Sequence, residues 1–212
     1  MTALEELVAR EYFERNGFFF KRLHEGGPEA PHVQKPKAKT KEARLHPTYL
    51  VHRETGRIQN EPLGERFQLF SSDLGGLALA AVVFFGWGTP GLHLQVFQSG
   101  ARYRSWIRNE VLPAYQASIE KALAQTSLPG TPVRVVLLPG LPASEPYRQE
   151  CIDLLKGAGV EALYSFRTLL ESLVGQVHPG PDVASSAISE LIRLLKVYEL
   201  VPPPQMDLFD DF

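Results

Sequence analysis

Residues 77–85 read LALAAVVFF, an unbroken apolar run of nine that decides the fold. It falls far short of the ~20 apolar residues a bilayer-spanning helix needs. Its second half is rich in the β-branched and aromatic residues that favour strands, and it lacks the alternation of a strand with one wet face. A strand apolar on both sides must be covered on both sides, so Leu77–Phe85 is expected at the centre of a sheet with helices above and below.

Downstream of it, Val133–Leu138 (VRVVLL) is a second strand. Ser144 and Pro146 then open a helix through Ile152, Leu154 and Leu155 that stops at Gly157 and Gly159. Val160–Tyr164 follows as another strand, and Ser165 caps a helix carrying Leu169, Leu170, Leu173 and Val174. This is a βαβα unit, expected to place its two strands parallel through a right-handed crossover. Between the apolar run and this unit lie a Gly- and Pro-rich turn, the short HLQVF segment and a helical stretch from about Arg102 to Gln125. Pro113 either breaks that stretch or opens its second half. A last amphipathic helix presents Ile188, Leu191, Ile192, Leu195 and Tyr198 on one face and must end before Pro202.

Upstream, Leu4, Leu7, Val8 and Tyr12 recur at helical spacing. Thr2 with Glu5 has the form of a capping box, and Gly17 closes the helix. Phe18–Phe20 begins a strand, Thr48–His52 (TYLVH) is a short β-prone segment, and Phe67–Phe70 is another. From about residue 24 to 46 the periodicity fades into a loop with Gly26, Gly27, Pro28, Pro31 and Pro36. Lys35, Lys37, Lys39, Lys41 and Arg44 follow in that loop, with Glu42 the one acid among them. The organisation expected is an α/β domain over residues 1–178, a C-terminal helix within 179–201 packed on or beside it, and a flexible tail over 202–212.

The 212 residues carry 22 Lys and Arg against 24 Asp and Glu, which excludes the wholesale basic bias of a histone-like chain but not a local basic face. Asp207, Asp210 and Asp211 sit in the tail, leaving 22 positive against 21 negative charges on the rest. One cysteine, Cys151, excludes a disulfide framework within the chain and any cysteine-based zinc cage. With an acidic start lacking the basic, then apolar, pattern of a signal peptide, a cytoplasmic setting without membrane attachment is expected.

The helix running into Asn-Gly-Phe-Phe (LEELVAREYFERNGFFFKR), the strand ending VVFFGW, and the segments VVLLPGLP and GVEALYSFRTLLESLV together resemble the restriction-endonuclease-like, PD-(D/E)xK nuclease superfamily over most of residues 3–177. The resemblance implies an α/β fold with a mixed sheet flanked by helices. It also implies a site in which carboxylates on two neighbouring strands hold Mg2+ beside a lysine that orients the attacking water. Carried onto this chain, the first acid falls near Thr48, the second on Val83 and the lysine on Phe85. None of the three can serve. The expectation is therefore a nuclease-like scaffold without catalytic or metal-binding residues and without a cofactor. Mg2+ enters only under an alternative in which Asp73, the one acid just before the apolar run, belongs to a rearranged site. Asp73 also suits a capping role in its Ser-Ser-Asp-Leu-Gly-Gly turn.

The six histidines form no i,i+4 pair and no HExxH and are read as loop or surface residues. No P-loop or GxGxxG follows a strand. The tail is more specific. Gln205, Met206, Asp207, Leu208 and Phe209 resemble the bacterial sliding-clamp-binding pentapeptide at all five positions, a match expected by chance on the order of once in a few hundred thousand positions. The physical reading agrees. Pro202, Pro203 and Pro204 stiffen an extended lead-out, Met206, Leu208 and Phe209 are anchors for pockets, Gln205 can satisfy backbone groups at a pocket edge, and the acids keep the segment soluble. The partners expected are thus a bacterial sliding clamp through the tail, and DNA phosphates through Lys35, Lys37, Lys39, Lys41 and Arg44, with Arg102, Arg104 and Arg108 as further candidates. An interaction protein unrelated to DNA, its tail bound to another groove or to its own fold, stays open as an alternative.

Overall fold

The apolar run does hold the middle of a sheet. The structure is a computed structural model describing residues 2–24, 45–53, 59–64, 66–125, 130–180 and 186–201. Five strands lie in sequence order: β1 (Phe18–His24), β2 (Thr48–Arg53), β3 (Leu79–Phe84), β4 (Val133–Leu138) and β5 (Ala162–Ser165). The first three form an antiparallel meander, and β3, β4 and β5 run parallel. Every residue of β3 is buried, as its lack of alternation requires.

Helices cover both faces. On one side α1 (Ala3–Arg15), α6 (Phe166–Gln176) and α7 (Ala187–Val197) share a core with the sheet through Tyr12, Phe13, Phe20, Tyr49, Phe84, Leu169 and Ile192. On the other, α2 (Leu94–Gln98), α3 (Gly100–Trp106), α4 (Leu112–Gln125) and α5 (Glu145–Gly157) surround a second core. Val83, Phe85, Tyr103, Tyr115, Val136 and Leu155 belong to that one. No helix among the described residues is long and apolar enough to cross a membrane.

Local signals act as expected at several ends. Thr2 and Glu5 form a reciprocal capping box on α1, and Gly17 takes the left-handed conformation just beyond it. The Ser165 hydroxyl accepts the Thr168 N–H at the start of α6. Ser144 occupies the corresponding position before α5, but its side chain makes no capping hydrogen bond. α3 and α4 join through a π-helical turn, Ile107–Val111, and Pro113 is the second residue of α4. Proline opens the second half of this stretch because the wider turn accommodates a residue with no N–H to donate.

Three expectations need correction. Phe67–Phe70 is not a strand: its ladder is a single bridge, Gln68 to Leu163, beside β5. α7 buries Ile188 and Ile192, whereas Leu191 and Tyr198 face outward, so its inner stripe is narrower than the periodicity suggested. His46 is a core residue rather than a surface one, with its ring 4.5 Å from that of Phe85 and its Nδ1 3.2 Å from the Phe84 carbonyl oxygen.

Candidate functional site

Because β3, β4 and β5 are parallel, the segments leaving them emerge at one end of the sheet. That is where open α/β sheets place ligands. A cavity of about 900 Å3 opens there. Trp87 follows β3, Pro139–Ala143 follow β4, and Ser165–Thr168 end β5 and start α6. Gln68 and Phe70 come from the segment bridged to β5, Phe97 and Gln98 from α2, and Arg148 from α5.

Trp87 is anchored from the far end of the chain. The buried Glu5 accepts the Trp87 N–H at Oε1 (2.7 Å) while its Oε2 accepts the Thr2 N–H (2.7 Å), so one carboxylate caps α1 and holds the turn after β3. A β-carbon at Gly86 would stand 2.3 Å from both carboxylate oxygens. Phe97 meets the Trp87 ring edge-on, centroids 5.3 Å apart, and presses on Gly140. Arg148 donates to the Pro142 carbonyl and to Glu145, and Arg167 pairs with Glu171 one helical turn away.

The positions that the sequence assigned to nuclease carboxylates lie on neighbouring strands. Thr48 and Val83 are direct partners across β2 and β3, and Phe85 lies in the same core as Val83. All three are fully buried, and the Thr48 hydroxyl donates to the His46 carbonyl (3.1 Å). A hard divalent cation needs several oxygen ligands, and this patch offers one hydroxyl already engaged, so these residues do not fit Mg2+. Asp73 is engaged elsewhere. Its Oδ2 accepts the Phe70 N–H at 2.9 Å and its Oδ1 pairs with Arg66, which is the turn-capping role. Among the described residues, no group of three or more His, Cys, Asp or Glu is gathered where a metal ion could sit.

Of the residues singled out from sequence, Lys35, Lys37, Lys39, Lys41 and Arg44 lie outside the described residues, as do Gln205, Met206, Asp207, Leu208 and Phe209. Arg102 and Arg108 are exposed on the α3 side, and Arg104 pairs with Glu150 of α5 across a separate groove. The cavity residues Phe70, Trp87, Phe97, Arg148 and Arg167 escape sequence reasoning because five separate segments supply them. The one local hint is a tryptophan placed directly after the buried strand.

Comparison with protein-family models, with curated proteins and with solved structures finds no match to this chain.

Proposed function

We propose that the chain is a non-catalytic, nuclease-like accessory protein of DNA replication or repair, docked on the bacterial sliding clamp through Gln205–Phe209 and touching DNA phosphates. The observation that carries this reading is the five-residue match, QMDLF, placed after three prolines and downstream of α7, which ends at Val197. Apolar anchors in such a segment have their natural place in a partner's pockets.

The restriction-endonuclease-like part of the reading draws support from the element order. A leading helix, a strand, further strands, a helix and a strand in a mixed sheet follow one another, the order on which the resemblance rests. The absence of catalysis draws support from Thr48, Val83 and Phe85, which are packed as core where carboxylates and a lysine would have to stand. Asp73, whose two oxygens are occupied by Arg66 and Phe70, gives the active-nuclease alternative little to build on.

The deciding experiment is a clamp pull-down comparing the intact chain with one ending at Val201 and with a Leu208→Ala, Phe209→Ala variant. Retention of the intact chain alone is expected, and equal capture of all three would overturn the reading. A Mg2+- and Mn2+-dependent cleavage assay on single- and double-stranded DNA tests the alternative, for which activity abolished by Asp73→Ala is the required result.

A further inference from the structure

The cavity at the carboxyl ends of β3, β4 and β5 exposes aromatic surface that the core does not use. Trp87 is 44% exposed and Phe70 50%, although both are large apolar groups that burial would stabilise. Trp87 is not loose: Glu5 holds its backbone and Phe97 braces its ring. A rigid, half-bare indole in a concavity is arranged for a flat partner, because stacking on a pre-positioned ring avoids the entropy of ordering it.

The polar groups around it narrow the chemistry. Arg148 and Arg167 come from different helices to the rim, and Gln68 and Gln98 add amide donors and acceptors. Among the described residues the carboxylates paired with the two arginines are Glu145 and Glu171, the latter also lining the cavity. Both belong to the same helices as their arginines, three and four residues away, in solvent-exposed pairs that hold weakly. A phosphodiester competes readily with such pairs. Aromatic faces, arginines and amides in one groove make the recognition set for unpaired bases on a phosphate backbone, whereas the bases of a duplex keep their faces stacked on one another.

We propose that this cavity binds single-stranded DNA, with bases stacked at Trp87 and Phe70 and the backbone drawn to Arg148 and Arg167. The proposal rests on the DNA-contact part of the function proposed above and gives that contact a place and a strand preference. It assigns the cavity no part in clamp binding.

The test is an anisotropy titration of the full-length chain at low salt, using a fluorescein-labelled oligothymidylate about 12 nucleotides long and a duplex of equal length. Binding that favours the single strand, weakens with salt, drops roughly tenfold in Trp87→Ala, recovers in Trp87→Phe and drops in Arg167→Glu is expected. Emission of the buried Trp106 and an unchanged urea midpoint verify that each variant is folded. Equal affinity of Trp87→Ala and the parent overturns the proposal. If, in addition, replacing Lys35, Lys37, Lys39, Lys41 and Arg44 by Gln abolishes binding, DNA contact stands without this cavity. No oligonucleotide binding, together with a tail-dependent clamp pull-down, overturns the cavity proposal and leaves clamp docking intact. Trp87 emission that shifts when residues 202–212 are deleted, with no response to DNA, gives the cavity to the chain's own acidic tail and also overturns it.

Discussion

Glu5 and Trp87, 82 residues apart, are joined by a 2.7 Å hydrogen bond from the Trp87 N–H to the Glu5 carboxylate, and Gly86 is the residue that leaves room for it. Any side chain at Gly86 displaces the carboxylate and strands both the Trp87 and Thr2 N–H groups. Gly86→Ala and Glu5→Ala should therefore each cost about 1–3 kcal/mol, the range for losing hydrogen bonds to a charged partner in a buried setting. The two effects share one cause, so Gly86→Ala should cost little in a Glu5→Ala background. Urea titration of the four proteins in this cycle measures the coupling, and strictly additive losses would contradict the link.

The two serines that precede helices in the βαβα unit make a second contrast. Ser165 is buried, and its hydroxyl receives the Thr168 N–H at 3.0 Å and contacts the Thr168 hydroxyl at 2.7 Å. Ser144 stands at the same point before α5 with no such bond. Ser165→Ala should destabilise by roughly 1–2 kcal/mol and Ser144→Ala by a few tenths at most. Thermal or denaturant unfolding of the two variants side by side decides the matter.

That contrast illustrates what was readable in advance. LALAAVVFF announces a central strand because burial on both faces removes the alternation that solvent imposes, and the parallel pairing of β4 and β5 follows from the helix between them. Whether a serine completes its cap depends on backbone angles that residue type alone does not dictate. His46 departs from the loop role its sequence suggests for a similar reason: only after β2 and β3 pair do the Phe84 carbonyl and the Phe85 ring come round it. Leu191 and Tyr198 share the periodicity of Ile188 and Ile192, yet the surface offered by α1 and α6 takes in only Ile188, Ser189 and Ile192. The cavity was the least legible feature, since Phe70, Trp87, Phe97, Arg148 and Arg167 meet only through tertiary structure.

The seam between the first and last described helices carries a pH dependence. Burial alone would raise the pKa of Glu11, but hydrogen bonds from Ser186, Ser189 and Arg15, together with the charge of Arg15, outweigh it and leave the carboxyl below its ordinary value of 4.5. The Ser189 hydroxyl donates to Glu11 at 2.6 Å and accepts from Arg15 at 2.7 Å, tying α7 to α1. A depressed folded-state pKa stabilises the fold above the unfolded value and loses that contribution as pH falls through the folded value. Glu11→Gln should accordingly be less stable than the parent at pH 7, with the gap closing on acidification below about 4.5. Urea midpoints collected across that range would show the convergence, and a gap independent of pH would refute it.

Cys151 lies on the inner face of α5, fully buried in the core shared with Tyr103, Val136 and Leu155. Burial pushes its thiol up to about 11. The neighbouring Glu150 charge adds to the rise and Arg104 opposes it. The thiolate is the reactive form, so two barriers stand in series: a small thiolate fraction at neutral pH, and no access for a reagent while α5 stays packed. Native protein mixed with an aromatic disulfide reagent at neutral pH should show almost no reaction, and one equivalent should react promptly on unfolding. Any slow native-state labelling then reports opening of α5, and its rate should rise when Leu155→Ala loosens the same core. Rapid stoichiometric labelling of the folded chain would show that α5 does not pack against β4 as the structure has it.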